Sequence, residues 1–204
     1  MQVIVDGKPL DGELDGANLH EMLRDLMQRH LGDARTIKEL SINGEIYQQD
    51  NQGAPEEIAR EGIESLVVET VSSQEIADFF LQNAGATLET LQEAARSVAE
   101  LFRMDDERQA NEKYRQLLET LGLFLKMLQL SQQVLDLDFE AVSAGQLSAN
   151  QRLERLQGLI GDMLKAQENQ DWLLLADVLN YDLVGELKAW AELVPLLSAK
   201  GDGA

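Results

Sequence analysis

Three carboxylates in the segment DWLLLADVLNYDLVGELKAW, residues 171–190, have the clearest capacity for chemistry. Asp182 and Glu186 lie one helical turn apart, and together with Asp177 they could bind a hard cation. Such a cation takes about six or more oxygen ligands, more than these side chains supply. The Glu-x-x-His pairs of di-iron bundles are also missing from the helical half of the sequence. We therefore predict no metal, no cofactor and no catalytic residue, and keep a metal-dependent carboxylate enzyme as the less favoured alternative.

Two tryptophans and a tyrosine in the same segment are candidates for binding rather than for catalysis. Trp172 and Trp190 are 18 residues apart, which is five turns of an α-helix, so a regular helix places them on one face. Apolar residues at helical spacing lie between them: Ala176, Leu179 and Leu183. Such a seam predicts core packing, with Trp190 or Tyr181 at its margin, where an amphipathic ring can contact a partner helix.

Asp177 has apolar and polar neighbours at steps of three and four, so it is predicted at the border of the apolar face. A carboxylate buried there without a partner would be costly. We expect Asp177 to lie in water at the rim or to pair with an arginine of a neighbouring helix. The residues predicted to bind a partner are Trp172, Asp177, Tyr181, Asp182 and Trp190.

Other catalytic arrangements are missing from the sequence. The chain has no cysteine, which excludes disulfides, thiolate nucleophiles and sulfur-ligated metals. Its two histidines are His20 and His30, so no Ser–His–Asp set can be assembled in the helical half. Gly158 and Gly161 fall inside a predicted helix, whereas a phosphate-binding loop follows a strand.

The net charge of −20 over 204 residues limits the kinds of binding partner that the sequence favours. Residues 1–72 hold 6 basic and 15 acidic side chains, and residues 73–204 hold 11 and 22. A negative field in both halves repels nucleic acid and anionic membranes and attracts a basic partner. The sequence shows neither a signal-peptide pattern nor an apolar stretch of about 20 residues, which favours a cytoplasmic location.

Residues 1–72 alternate between strand and helix patterns and are predicted to form the first domain. Asp6-Gly7 and Asn43-Gly44 are typical of tight hairpin turns, because both positions tolerate positive φ. One helix is predicted to begin after Asn18 and to end at Gly32. The other predicted elements are the strands MQVIV, KPLDGEL, TIKELSI, EIYQ and IESLVVETV and a helical turn, PEEIARE.

Residues 73–200 have helical periodicity throughout and are predicted to form the second domain. Leucines recur at alternating steps of four and three in about four segments, and each apolar stripe must be buried against another. Asp105 and Asp106 favour the start of one helix, and Ser148 with Gln151 forms a capping box at another. Gly85 and Thr87 could break the first long helix.

The element order of the first domain is that of a β-grasp fold and resembles ubiquitin-like domains. No diglycine tail ends this domain, so the conjugation chemistry of ubiquitin is not implied. The motif D-W-x-L-x-A-D-x-L-x-Y-D-L resembles a segment of an uncharacterised bacterial family that joins such a domain to an acidic helical region, and it implies no established activity. The predicted fold class is α+β: a β-grasp (ubiquitin-like) domain over residues 1–72, then an all-α antiparallel bundle of about four helices over residues 73–200.

These features favour a non-enzymatic protein–protein interaction module, adaptor or chaperone-like, that binds another polypeptide through its acidic helical bundle. Its composition is similar to that of bacterial secretion and flagellar chaperones. The expected partner is another protein, either a basic segment or an amphipathic helix, and neither nucleic acid nor membrane is expected. The main alternative is a homo-oligomeric structural protein, because part of a long apolar seam could be buried in a homodimer.

Overall fold

A computed structural model describes residues 1–31, 35–104 and 106–201 of this mixed α+β protein. The chain divides into two compact units, an N-terminal unit, Met1–Ile76, and a helical unit, Ala77–Ala204. Gly32 and Asp105, predicted to lie at helix ends, are outside the described residues. None of the helices in the described ranges is both long and apolar enough to cross a membrane.

A five-stranded sheet with the strand order β2-β1-β5-β3-β4 forms the frame of the N-terminal unit. Strands β1 and β5 are parallel, and the other pairs are antiparallel. The strands are β1 Gln2–Val5, β2 Lys8–Pro9, β3 Arg35–Ile42, β4 Glu45–Ile46 and β5 Ser65–Ser72. β2 is therefore much shorter than the predicted KPLDGEL strand.

Both predicted hairpin turns are confirmed by their backbone angles. Asp6 and Gly7 have φ values of 49° and 75°, and Asn43 and Gly44 have φ values of 53° and 87°. Positive φ at both central positions matches the right-handed twist of the flanking strands. These turns fix the pairing of β1 with β2 and of β3 with β4.

Helix α1, Leu19–Leu26, supplies the apolar face that covers the sheet. The Asn18 side chain accepts a hydrogen bond from the Glu21 N–H at 2.9 Å, which confirms the predicted cap. A π-helical turn, Met27–Leu31, continues α1. The buried core of this unit contains Leu19, Met22 and Leu26 of the helix and Val3, Leu40, Leu66 and Val68 of the sheet.

The predicted helical turn PEEIARE, residues 55–61, is wrong over most of its length, because its backbone bonds to the chain at the start of α1. The Leu19 N–H donates to the Ile58 carbonyl at 2.9 Å, and the Arg60 N–H donates to the Ala17 carbonyl at 3.0 Å. Its last two residues are helical, because they belong to a 3-10 turn, Arg60–Gly62. The short helix α2, Gln49–Gln52, precedes the segment.

Asp6 ties the first hairpin to the end of β5. Its two carboxylate oxygens accept hydrogen bonds from the Thr70 N–H and the Thr70 hydroxyl, both at 2.7 Å. Arg35 Nη2 lies 3.3 Å from the same carboxylate. The hydrogen bonds from Thr70, with the nearby Arg35 charge, hold the pKa of Asp6 below its ordinary value.

We expect Asp6→Asn to lower the free energy of unfolding of the N-terminal unit by about 0.5–1 kcal/mol at pH 7, because the site is partly exposed and screened by water. The folded pKa of Asp6 is depressed, so this stabilisation is present above the unfolded pKa and is lost as pH falls through the folded pKa. Urea denaturation followed through β5 amide signals should show the difference shrinking below about pH 4. The exposed Asp11→Asn is the control, and an equal loss in both variants would contradict the prediction.

Within the ranges that the structure describes, the helical unit contains four long helical segments. They are α3 Ser73–Arg103, α4 Glu107–Val134, α5 Ala149–Glu168 and a final helical segment. The final segment contains α6 Trp172–Asp177, a π-helical turn, Val178–Leu183, and α7 Val184–Gly201. Of α3, the residues from Ala77 onwards belong to this unit. A small hairpin, β6 Ser143–Ala144 with β7 Leu147–Ser148, precedes α5. One continuous core, in which leucine is the commonest residue, joins the helices.

Helix ends in this unit follow the predicted caps, and the possible break near Gly85 does not occur. The Ser148 hydroxyl accepts from the Gln151 N–H at 3.2 Å, and Gln151 Oε1 accepts from the Ser148 N–H at 3.0 Å, which completes the capping box. Asp106 caps α4. Helix α3 runs through Gly85 without interruption, because its buried face continues on both sides of the glycine.

Candidate functional site

The five residues predicted to bind a partner lie on the final helical segment, and the structure divides them between the core and the surface. Trp190 is fully buried, Trp172 is half-buried, and Asp177, Tyr181 and Asp182 are exposed. The π-helical turn Val178–Leu183 lies between the two tryptophans. A π turn contains more residues than an α turn. Side chains after the turn are therefore rotated about the helix axis relative to those before it. The two indoles therefore have different surroundings.

Trp190 belongs to the core, as the apolar seam predicts, and of the two residues offered for the margin of that seam Tyr181 is the exposed one. Its side chain is 0% exposed and meets the Phe124 ring edge-on, with the ring centroids 6.3 Å apart. The indole Nε1 has no hydrogen-bond partner. A partner cannot reach this indole without opening the core.

Trp172 forms a stacked pair with an aromatic ring at the end of α3. The rings of Trp172 and Phe102 are 5.1 Å apart and within 5° of parallel. Phe102 is buried and also meets Tyr114 edge-on. This pair fixes the start of α6 against the end of α3, and it brings the neighbouring Arg103 to the residues that follow Trp172.

Arg103 joins two of the predicted residues in one cluster. Its Nη2 donates to Asp177 Oδ1 at 2.7 Å, which is the arginine pairing expected for Asp177. Its guanidinium carbon lies 5.8 Å from the centre of the Tyr181 ring, within cation–π range. The hydrogen bond to Asp177 raises the pKa of Arg103 above its ordinary value. We call Phe102, Arg103, Trp172, Asp177 and Tyr181 the aromatic shelf.

Large apolar side chains near the aromatic shelf in sequence point into water. The exposed fractions are 74% for Met104, 68% for Leu173, 50% for Leu174 and 66% for Tyr181. Asp171 and Asp182 are exposed on the same helical segment. The exposed residues of this part of the chain therefore include aromatic, methionine and arginine side chains, and such residue types are enriched where proteins bind each other.

Family models cover both parts of the chain. A model described as a domain of unknown function (DUF8042) matches residues 80–193, and a second, a domain of unknown function (DUF8043), matches residues 2–71. The first match takes in more than half of the sequence. The chain belongs to the DUF8042 family. No curated protein and no solved structure matches it.

The DUF8042 match contains the whole aromatic shelf, including the two residues that sequence reasoning missed, Phe102 and Arg103. Their signal in the sequence is weak, because a Phe-Arg pair at the end of a helix is common. Both become recognisable only through their contacts with Trp172 and Asp177. The expectation of an uncharacterised family agrees with the description of DUF8042 as a domain of unknown function.

A second cluster in the DUF8042 region was also missed, and it is buried. The Glu186 side chain is 2% exposed, and its two oxygens lie 3.3 Å from Arg152 Nη1. Arg155 Nε lies 3.4 Å from the same carboxylate. Arg152 Nη2 also donates to the Ala144 carbonyl at 2.9 Å, which attaches the small hairpin to α5. This cluster is an ion-pair network that holds together three parts of the helical unit.

The three carboxylates considered for a cation do not converge. Asp177 pairs with Arg103, and Glu186 pairs with Arg152 and Arg155. Throughout the ranges that the structure describes, no group of three or more His, Cys, Asp or Glu side chains is placed to hold a metal ion. Asp182 is exposed to water.

Proposed function

We propose that this chain is a non-enzymatic protein–protein interaction module, adaptor or chaperone-like, that binds another polypeptide through its acidic helical unit. The observation that carries the proposal is the aromatic shelf with its exposed apolar neighbours. Water-exposed clusters of large apolar side chains are rare on proteins that act alone and common at binding surfaces. A cytoplasmic location is part of the same proposal.

The charge of the surface favours a basic amphipathic partner. Residues 73–204 hold twice as many acidic as basic side chains, 22 against 11. A helix with an apolar stripe could cover Leu173, Leu174 and Tyr181, while lysines or arginines beside that stripe meet Asp171 and Asp182. The same negative field disfavours nucleic acid and anionic membranes.

Two finer features of the fold belong to this proposal. We infer a β-grasp topology for the N-terminal unit, supported by two hairpins, one covering helix and the parallel pairing of β1 with β5. We infer an antiparallel bundle for the helical unit, supported by four long helical segments that share a common core. The bundle supplies the rigid surface on which the aromatic shelf is displayed.

We expect the double variant Leu173→Ser/Tyr181→Ser to lose a stoichiometric partner that the unaltered chain retains. These side chains are exposed, so their loss leaves the fold intact and removes apolar area from the proposed contact. Affinity capture from the native host, with the bound protein identified and its ratio measured, is the test. Retention should fall as salt is raised, because charge attraction contributes to binding.

Leu123→Ser is the matched control for this experiment. Leu123 is 60% exposed on α4 and lies outside the aromatic shelf, so its replacement should leave binding unchanged. The proposal fails if no stoichiometric partner is captured at low salt. It also fails if the shelf variant retains the partner as well as the control does.

A further inference from the structure

A groove between α3 and α4 has the size and the walls of a site for a small molecule. Its volume is about 330 Å³. Its apolar walls are formed by Leu91, Ala94 and Val98 of α3 and by Leu117 of α4. Sites for small ligands in proteins have volumes of about 300–1,000 Å³ and mostly apolar walls with a few polar groups. The chemistry of those polar groups therefore decides what this groove can bind.

Lys113 is the only charged side chain among the described residues that line this groove. The chain has 37 acidic and 17 basic side chains, yet within the part that the structure describes Lys113 pairs with no carboxylate. Its recorded contact is with Ser97 across the groove, where Nζ lies 3.5 Å from the serine Oγ. An ammonium group has three hydrogens to donate. Lys113 and Ser97, which we call the cationic end of the groove, can therefore bind an anion together.

Two threonines lie at the opposite end of the groove. The rings of Phe80 and Phe124 are in contact, with their centroids 5.6 Å apart. Comparison with the cationic end shows that a step back along α3 corresponds to a step forward along α4. This places Thr90 of α3 and Thr120 of α4, which also line the groove, away from the lysine. Thr90 is seven residues from Ser97, so the two ends are about 10 Å apart.

The threonine end has no hydrogen to offer to an anion. The Thr90 hydroxyl donates to the Ala86 carbonyl at 3.0 Å, and the Thr120 hydroxyl donates to the Gln116 carbonyl at 3.0 Å. Each hydroxyl has one hydrogen, so only the lone pairs of its oxygen remain. An anion with an apolar body is therefore oriented by the groove, because it can bind only at the cationic end.

We propose that this groove binds a small amphipathic carboxylate, with the carboxylate on Lys113 and Ser97 and the apolar body extending past Ala94 towards the threonines. A carboxylate carries the single negative charge that one ammonium group can match. A phosphate monoester carries about −1.5 to −2 at pH 7, which is unfavourable in a chain whose net charge is −20. The site is made of residues other than those of the aromatic shelf.

The width and the length of the groove favour an extended chain over a helix as its occupant. The axes of two packed helices are about 8–10 Å apart, so the groove between them is narrower than a third helix, about 10 Å across. A chain of about eight carbons has the length that separates the two ends. Octanoate is therefore the probe, and with so few atoms its Kd should be on the order of 1 mM.

Titration with octanoate should shift the amide signals of residues 90–98 and 113–120 more than those of the other helices. Octylamine and octyl phosphate should each shift these signals at least about tenfold less at the same concentration, because the first is repelled by the lysine and the second carries the additional charge. Octanoate binding should weaken as salt is raised. Contacts from the terminal methyl group of octanoate to the Thr90 and Thr120 methyl groups would confirm its orientation.

Lys113→Gln should weaken octanoate binding about tenfold, because it removes the charge from the hydrogen bond to the carboxylate. Lys126→Gln is the matched control: Lys126 is exposed on the same helix, outside the groove, and its replacement makes the same change in net charge. Ala94→Leu should abolish binding by filling the groove. Its melting temperature, compared with that of the unaltered chain, distinguishes a filled groove from a damaged fold.

Three results would overturn the proposal. They are octylamine binding in the groove as tightly as octanoate, an equal loss of affinity in Lys113→Gln and Lys126→Gln, and no shift of the groove signals at about 10 mM octanoate. The aromatic shelf is tested separately. Leu173→Ser/Tyr181→Ser should bind octanoate as the unaltered chain does, and Lys113→Gln should retain the captured partner, so either proposal can fail while the other stands.

Discussion

Replacing Trp190 by alanine is expected to lower the free energy of unfolding of the helical unit by about 3–5 kcal/mol. The indole is fully buried and meets Phe124 edge-on in the middle of the core. Its removal loses the burial of the largest side chain in the unit and leaves a cavity that the surrounding leucines cannot fill without strain. Urea denaturation followed by far-UV circular dichroism would measure the loss.

Two further substitutions make this prediction specific. Trp172→Ala should lower the free energy of unfolding by less than Trp190→Ala does, because Trp172 is only half-buried, although it stacks on Phe102. Trp190→Phe should cost less than half as much as Trp190→Ala, since phenylalanine fills part of the space and removes an indole N–H that has no acceptor. If Trp190→Ala lowers the free energy of unfolding no more than Trp172→Ala does, Trp190 is not a core residue.

Replacing Glu186 by alanine is expected to lower the free energy of unfolding of the helical unit by about 3–5 kcal/mol, because it leaves a buried arginine without a counter-charge. The side chains of Glu186 and Arg152 are 2% and 13% exposed. In the absence of Glu186, Arg152 keeps only its bond to the Ala144 carbonyl, while its Nε is already without a partner. Much of the loss would therefore come from the unpaired charge rather than from the missing contact.

A double-mutant cycle distinguishes these two sources of instability. Glu186→Leu/Arg152→Met replaces both charges by apolar groups of similar length and should recover a large part of the stability lost in Glu186→Ala. The exposed pair of Asp177 with Arg103 is the comparison, and Asp177→Ala should have a much smaller effect because water screens that pair. If Glu186→Ala lowers the free energy of unfolding no more than Asp177→Ala does, the buried ion-pair network does not stabilise the helical unit.

Local features of the fold could be predicted from the sequence because their causes lie within a few residues. Asn18 and Ser148 were predicted as helix caps, and each accepts the expected backbone hydrogen bond. The turns at Asp6-Gly7 and Asn43-Gly44 follow from residues that tolerate positive φ. The pairing of Asp177 with an arginine was one of the two predicted alternatives, the other being a position in water at the rim of the apolar face.

Local patterns left some choices open, or predicted them wrongly, where distant contacts decide the structure. Gly85 was a possible break in α3, yet the buried face of the long helix continues through it. The sequence offered Trp190 or Tyr181 for the margin of the apolar seam, and the structure exposes Tyr181 and encloses Trp190. The segment PEEIARE was expected to be a helical turn, but most of its backbone bonds to residues 17–19 instead, and helical geometry is limited to its last two residues.

The sequence by itself determined the acidic character of the chain and the lack of cysteine chemistry, because composition suffices for these. It also determined the α+β class, the helix caps and the hairpins, because these follow from short-range geometry. Only the tertiary structure decided that Arg103 meets Asp177, 74 residues later, and that Glu186 is buried with Arg152. It also decided that Trp172 contributes to a surface while Trp190 is enclosed in the core. Such pairings depend on which helix faces which, and that choice minimises exposed apolar area over the whole unit rather than over any local stretch.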